Sequence, residues 1–236
     1  MRTTIFLLIL TFFSTSILES QGQNRKSFIN FDVSVGPGSL TEKMTKELSV
    51  SSNRTKEKKE KIGYDLEYKT MTYTAALEYQ LEGFITRIEA RYTKASFDKF
   101  KDYTDTDWLR LDPALFENQN MYEGAFYFGG VINRKHRFQV PILGGVGLGY
   151  ISGEPINHLN LDFLYKIRAK YYITDKIGIF AGITGSYGGT ALDDENPGPE
   201  AEKWRERNRS KDDLIDVVTK RLYYEAGLTV MLGRKK

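Results

Sequence analysis

Hydrophobic and polar residues alternate with period two along most of the chain. The alternation falls into eight segments of about the ten-residue length that a tilted membrane-spanning strand requires. The first, Phe28 to Gly36, sets Ile29, Phe31, Val33 and Val35 against Asn30, Asp32 and Ser34. The second, Thr72 to Leu81, sets Tyr73, Ala75, Leu77, Tyr79 and Leu81 against Thr74, Glu78 and Gln80. A tight turn at Glu82-Gly83 leads into the third, Phe84 to Lys94, whose Phe84, Ile88, Ala90 and Tyr92 oppose Arg87, Glu89 and Arg91. The fourth, Met121 to Ile132, carries Tyr122, Phe126, Phe128 and Ile132 on one face and Glu123 and Tyr127 on the other. The fifth, Phe138 to Ile151, alternates Val140, Ile142, Val146, Leu148 and Tyr150 with Gly145, Gly147 and Gly149, which leave room for larger neighbours. Its Pro141 is unusual within a strand. The sixth, Leu159 to Ile173, sets Leu161, Phe163, Tyr165, Ile167, Ala169 and Tyr171 against Asp162, Lys166, Arg168 and Lys170. The seventh, Ile177 to Gly188, and the eighth, Leu222 to Leu232, repeat the plan, with Glu225 on the polar face of the last.

The connections alternate in length. Short turns at Glu82-Gly83, Asn133 to His136 and Thr174 to Lys176 interleave with longer connections, the longest at the first, third and last positions. An even strand count with short turns at one end and long loops at the other predicts an eight-stranded antiparallel up-and-down transmembrane β-barrel, an all-β fold. Thr41 to Lys61 is dense in mixed charge and predicts a solvated surface loop. Thr190 to Val218 predicts another, in which the charged stretch Glu200 to Val218 forms a short exposed helix.

Met1-Arg2 followed by an apolar run through Phe13 and then small and polar residues reads as a secretory signal peptide spanning residues 1–22, leaving 23–236 as one barrel domain. The run is shorter than the roughly 20 residues that cross a bilayer as a helix. The chain has no cysteine, which excludes a disulfide-stapled scaffold and a lipid-anchored cysteine. A balance of 34 basic and 31 acidic residues, spread along the chain, demands no nucleic-acid partner.

Alternation alone leaves open whether the apolar face points into lipid or into the lumen of a soluble, ligand-binding barrel. Turned outward, it leaves Asp32, Glu78, Arg87, Glu89, Arg91, Glu123, Asp162, Lys166, Arg168 and Glu225 inside, where their mixed signs suit mutual pairing. Aromatic placement favours lipid. Tyr92, Tyr150, Tyr187 and Tyr224 fall at the long-loop ends of their apolar faces, and Phe84, Phe138 and Tyr171 at the short-turn ends, as two interfacial girdles.

The stretches Pro141-Ile-Leu-Gly-Gly-Val-Gly-Leu-Gly-Tyr150 and Tyr171-Tyr-Ile-Thr-Asp-Lys-Ile-Gly-Ile-Phe-Ala-Gly182 resemble the small outer-membrane β-barrel family that includes the OmpA and OmpX barrels and many porin-family proteins. The likeness is strongest from about residue 121 to about residue 188 and implies a fold, not a reaction. Barrels of that family usually finish on an aromatic residue, whereas this chain ends Leu232-Gly-Arg-Lys-Lys236, a basic tail that reads either as a short periplasmic extension or as an artefact of the strand register. The resemblance implies outer-membrane lipid and the barrel-insertion machinery as partners.

A catalytic or metal site finds little support. His136 and His158 are expected on the surface at opposite ends of the barrel, with no second histidine or cysteine at ligand spacing. His158-Leu-Asn lacks the serine that a His-x-Ser deacylase pair requires. Glu154 and Asp193-Asp194-Glu195 are loop carboxylates, and Asp102, Asp105 and Asp107 lack the glycine and distal glutamate of a calcium loop. Gly144 to Gly149 has no following Gly-Lys-Ser/Thr and reads as a strand. Asn53-Arg-Thr and Asn208-Arg-Ser match the glycosylation acceptor by chance. No catalytic, cofactor-binding or metal residue and no cofactor is therefore expected. The chain reads as a non-enzymatic, monomeric barrel of the cell outer membrane, with a structural role or an unidentified extracellular partner for its loops. A narrow channel and a soluble envelope barrel holding an apolar ligand are the alternatives.

Overall fold

A computed structural model of the chain describes residues 27–52, 56–103, 118–132, 137–153, 158–192 and 215–235. The signal segment 1–22, the turn holding His136, the loop acids Glu154 and Asp193 to Glu195, Asp105, Asp107, Asn53 and Asn208 lie outside the described residues. Eight strands form one sheet: β1 (Ser27–Ser52), β2 (Lys56–Leu81), β3 (Phe84–Asp102), β4 (Gln119–Ile132), β5 (Phe138–Ser152), β6 (His158–Tyr172), β7 (Ile177–Leu192) and β8 (Ile215–Lys235). Each pairs antiparallel with the next, and β8 pairs with β1, so the sheet closes with no free edge around the barrel. No helix occurs among the described residues.

The register fixes the shape. From Val33 the row of paired residues runs through Ala75, Ala90, Gly124, Leu148, Leu161, Gly189 and Val218, and returns to β1 at Lys43. The return point is 43 − 33 = 10 residues further along, so the strands tilt about 35–45° to the axis, and eight of them enclose only room for side chains. Two local devices permit closure. The β2–β3 turn takes positive φ at both central residues, Glu82 at 50° and Gly83 at 102°, the primed geometry whose twist matches the flanking strands. At the β1–β8 seam a Cβ on Gly36 would strike the Tyr224 carbonyl, so only glycine admits this approach.

The two faces of the wall are sorted by polarity. The outward face is apolar on every strand, with Ile88 at 66% and Phe163 at 67% exposure, while Asp162 and Lys166 inside are at 0%. Tyr73, Tyr92, Tyr122 and Tyr150 lie in adjacent strands as one paired row toward the long-loop end, and ring centroids are 6.2 Å apart for Tyr73–Tyr92 and 5.1 Å for Tyr92–Tyr122. Phe84, Phe138 and Tyr171 are exposed toward the other end. Between the two girdles lie about ten strand residues, which at this tilt match the roughly 25 Å apolar band of a membrane barrel.

Beyond the tyrosine row the alternation reverses its sense. Leu40, Met44, Tyr64, Leu66, Tyr68 and Val217 point inward and form a buried apolar cluster with Ala95, against which Phe97 and Phe100 pack. Thr41, Lys43, Asp65, Glu67 and Lys69 face outward at that level. A bulge at Glu67/Tyr68, opposite Asp98, turns both Phe97 and Phe100 toward the inside.

This reversal corrects the predicted loop at Thr41 to Lys61. The segment is the upper hairpin of β1 and β2, and only residues 53–55 connect the strands. Lys43 faces water there while Leu40 and Met44 on the opposite face join the apolar cluster, so charge density alone misreads the segment. The stretch from Ile215 likewise belongs to β8 rather than to a helix, and the tail through Lys235 pairs with Ser27 of β1 rather than extending free.

A charge placed between the girdles has no water to face. Ile167→Arg is therefore expected to lower stability by about 2–4 kcal/mol, read by denaturant unfolding in phospholipid vesicles. Thr41→Arg, above the tyrosine row, should leave it within about 0.5 kcal/mol.

Candidate functional site: an ionic lattice in the lumen and its polar cap

The inward positions of six strands project charge into the lumen. Arg87 pairs with Asp32, donates to Glu89 at 2.7 Å and lies 3.5 Å from Glu78. Arg168 reaches Asp32 at 2.8 Å, Glu78 at 3.1 Å and Glu225 at 3.4 Å. Lys170 lies 2.6 Å from Glu78, and Lys166 lies 2.6 Å from Glu89 and 3.3 Å from Glu225. Higher in the barrel, Arg91 bridges Glu89 and Glu123, and Arg221 bridges Glu123 and Asp162. Among the described residues the lattice counts six carboxylates (Asp32, Glu78, Glu89, Glu123, Asp162, Glu225) and six cations (Arg87, Arg91, Lys166, Arg168, Lys170, Arg221), and so carries no net charge.

Small residues and rings seat these groups. A Cβ at Gly147 would run into the Glu123 carboxylate, one at Gly182 into the stem of Arg168, and one at Gly188 into Asp162. The Arg168 guanidinium lies 3.6 Å from the Phe180 ring centroid, and the Lys166 ammonium 5.1 Å from that of Tyr127. Arg91 donates to the Tyr223 hydroxyl at 2.9 Å.

A polar layer caps the lattice above the tyrosine row. Gln119 of β4 donates from Nε2 to Glu42 of β1 at 3.1 Å and to the Tyr68 hydroxyl of β2 at 2.9 Å. His158 Nε2 of β6 lies 3.9 Å from the same Glu42 carboxylate. Burial pushes the Glu42 acid up to about 7, against the hydrogen bond from Gln119 and the positive charge of Arg221. Burial likewise raises the Tyr68 hydroxyl above its usual range.

Each inward charge read from the alternation lies in this lattice. Five participants escape that reading, Gln119 and Tyr68 because they precede the predicted starts of the fourth and second segments. Arg221 lies one residue before the predicted start of the eighth strand, yet it shares the face of Glu225 at a four-residue offset, which is a usable signal. Glu42 lies in the segment read as a loop. His158 corrects its surface assignment: it is the first residue of β6 and is buried at 4%, because the strand starts one residue earlier than Leu159 and turns it inward. Asp102 ends β3, half-buried. No group of three or more His, Asp or Glu side chains among the described residues is placed to hold a metal ion.

An apolar wall facing outward around a neutralised ionic lumen defines the class: a closed eight-stranded antiparallel β-barrel with the outer surface of one that spans a membrane. No protein-family model and no curated protein matches the chain. Among solved structures, Neisserial surface protein A is 12% identical with a TM-score of 0.42 over 85% of this chain and 96% of that one. The outer membrane protease OmpT of Escherichia coli is 9% identical with a TM-score of 0.48 over 86% and 97%. Ail, the attachment invasion locus protein of Yersinia pestis, is 13% identical with a TM-score of 0.31 over 84% and 97%. At these identities and scores the likeness concerns the barrel fold alone.

Removing one partner from the lattice strands the others. Arg87→Leu leaves Asp32, Glu78 and Glu89 short of a cation and is expected to cost about 3–5 kcal/mol, measured as a fall in unfolding free energy in lipid. Glu42 supplies a pH signature. Its acid is raised from 4.5 to about 7 in the folded state, so its contribution is full below pH 4.5 and is lost as pH rises through about 7. The loss amounts to about 3 kcal/mol. Glu42→Gln should remove that fall, so the stability difference between wild type and variant changes between about pH 4.5 and about pH 7 and is level above it.

Proposed function

We propose that the chain is a structural or surface-interaction barrel of the bacterial outer membrane, monomeric and without catalysis, whose long-loop end faces outside the cell. The observation that carries this reading is the lumen itself. Twelve charged side chains pair across it, and Arg87, Lys166, Arg168 and Lys170 are among the most deeply buried side chains of the protein. A lumen filled in this way holds the wall together and leaves the rim, not the interior, to meet other molecules. Among the described residues the interior at the level of the bilayer is filled by the paired charges and by a buried apolar cluster of Ile85, Ala125, Tyr127, Leu143 and Leu164, which counts against a soluble carrier of an apolar ligand. Outer-membrane lipid, the barrel-insertion machinery and an extracellular partner of the loops are its proposed contacts, with no part for nucleic acid.

A narrow water path is the second reading. Buried lumen atoms such as Tyr127 Oη and Gln80 Oε1 have no hydrogen-bond partner within the protein, and bound water would satisfy them. Planar-bilayer recording of the refolded chain separates the two. The expected result is no discrete conductance from a protein whose gel mobility shifts on boiling. Unitary current steps that disappear on substituting Arg168 would overturn the closed-lumen reading in favour of the channel.

A further inference from the structure

Directly above the tyrosine row, the outer wall changes character on one side of the barrel only. Lys69 of β2, Lys94 of β3 and Lys220 of β8 are exposed there. Lys69 pairs in register with Ser39 of β1 and Ser96 of β3, and Lys220 pairs with Thr41 of β1. Lys94 lies two residues from Ser96 on the same face, so Lys69 and Lys94 are diagonal neighbours about 7–8 Å apart at their Cα atoms. The three ammonium groups and three hydroxyls thus form one cradle across four adjacent strands. The outward positions of β4 to β7 carry no charge among the described residues, so the feature is a half-belt and not a general property of the rim.

The cradle is short of anions. Lys69 meets Asp98 at 2.7 Å, with its side chain 77% exposed. Its hydrogen bond holds the Asp98 carboxyl below the usual carboxylate range. Exposed pairs of this kind are weak and exchange readily with a competing anion. Among the described residues no carboxylate pairs with Lys94, and Lys220 lies over the Tyr187 ring, 5.8 Å from its centroid. The acid Glu67 is engaged higher up, by Lys101 at 3.3 Å and Lys99 at 3.8 Å. Position selects the partner. Tyr73, Tyr92 and Tyr122 mark the depth at which hydrocarbon gives way to headgroups, and the cradle sits immediately on the headgroup side of them. Long lysine stems reach along the wall while their ammonium groups remain in the polar layer. Lysine serves as a point-charge donor to phosphate, and clustered lysines beside a bilayer attract anionic lipid.

We propose that this half-belt is a binding site for the phosphate of an anionic lipid headgroup in the leaflet on the long-loop side. The assignment rests on the membrane-barrel reading and adds to it a lipid class and a fixed side of the barrel. A headgroup held here couples β8, β1, β2 and β3, the strands that rise above the rim, to the surrounding bilayer.

The test uses the full chain refolded in detergent and native mass spectrometry of lipid retained on titration with phosphatidic acid or phosphatidylcholine. Wild type should prefer phosphatidic acid, and K69Q/K94Q/K220Q should weaken that binding about a hundredfold while leaving phosphatidylcholine unchanged. K43Q/K99Q/K101Q, which removes the same formal charge higher up, should retain wild-type affinity. Equal phosphatidic acid binding by wild type and the cradle variant, or equal loss in both triple variants, overturns the site. Competition by inorganic phosphate at concentrations equal to the lipid overturns the headgroup assignment in favour of a free anion. Every sample is checked for a mobility shift on boiling. Absence of the shift in wild type contradicts the barrel itself, whereas a shifted wild type without lipid preference contradicts the cradle alone.

Discussion

A charge inside a narrow barrel surrounded by lipid has nowhere to go but to another charge. The wall that keeps the aliphatic face in hydrocarbon also removes the inward side chains from water, and the desolvation of a single unanswered ion would exceed what one hydrogen bond returns. Balance is therefore the condition on which the lumen depends. The six cations and six carboxylates meet it as a network and not as isolated pairs: Arg168 touches Asp32, Glu78 and Glu225, and Glu89 is shared by Arg87, Arg91 and Lys166. Every group of the lattice but Asp162 thus has two or three ionic partners, many on strands far apart in sequence, and the lattice ties opposite sides of the cylinder together as well as neighbours. Glycines at 147, 182 and 188 belong to the same solution, since the ions fit only where the facing wall has no side chain.

The reversal of alternation above the tyrosine row follows from the same rule applied to a different solvent. Where the outside is hydrocarbon, the inside holds the ionic lattice beside a smaller apolar cluster around Ile85 and Leu143; where the outside is water, the inside becomes the apolar cluster around Leu66 and Tyr68. One continuous strand crosses both regimes. β1 presents Val33 and Val35 outward to lipid, then Lys43 outward to water with Leu40 and Met44 turned in. The cap of Glu42, Gln119, Tyr68 and His158 lies at the join, where neither solvent supplies its hydrogen bonds.

Legibility in sequence tracks these regimes. Inside the membrane the pattern is strict, so eight strands, the two-residue turn at Glu82-Gly83 and most of the lattice were readable from period two alone. Above the membrane the same strands became opaque. A reader who follows the apolar face sees it vanish after Val35 and takes Thr41 to Lys61 for a loop, although the backbone pairing continues to Ser52. His158 and Arg221 lie one residue before the predicted strand starts, so the alternation that places Asp162 and Glu225 inside was not extended to them. The pairings between distant ions depend on register around the closed sheet, ten residues of offset in all, and no local pattern carries that number.

The account rests on lipid outside and paired charge inside, and one measurement addresses both. The chain has no cysteine, so single cysteines at Val33, Thr74 and Lys43 can each carry a small fluorophore in the barrel refolded into vesicles. Quenching by a bromolipid at 33 and by aqueous iodide at 43, with position 74 resisting labelling from either side, is the predicted pattern. Iodide quenching at 33 together with free labelling at 74 would mean that water bathes the apolar face or fills the lumen, and would contradict the account.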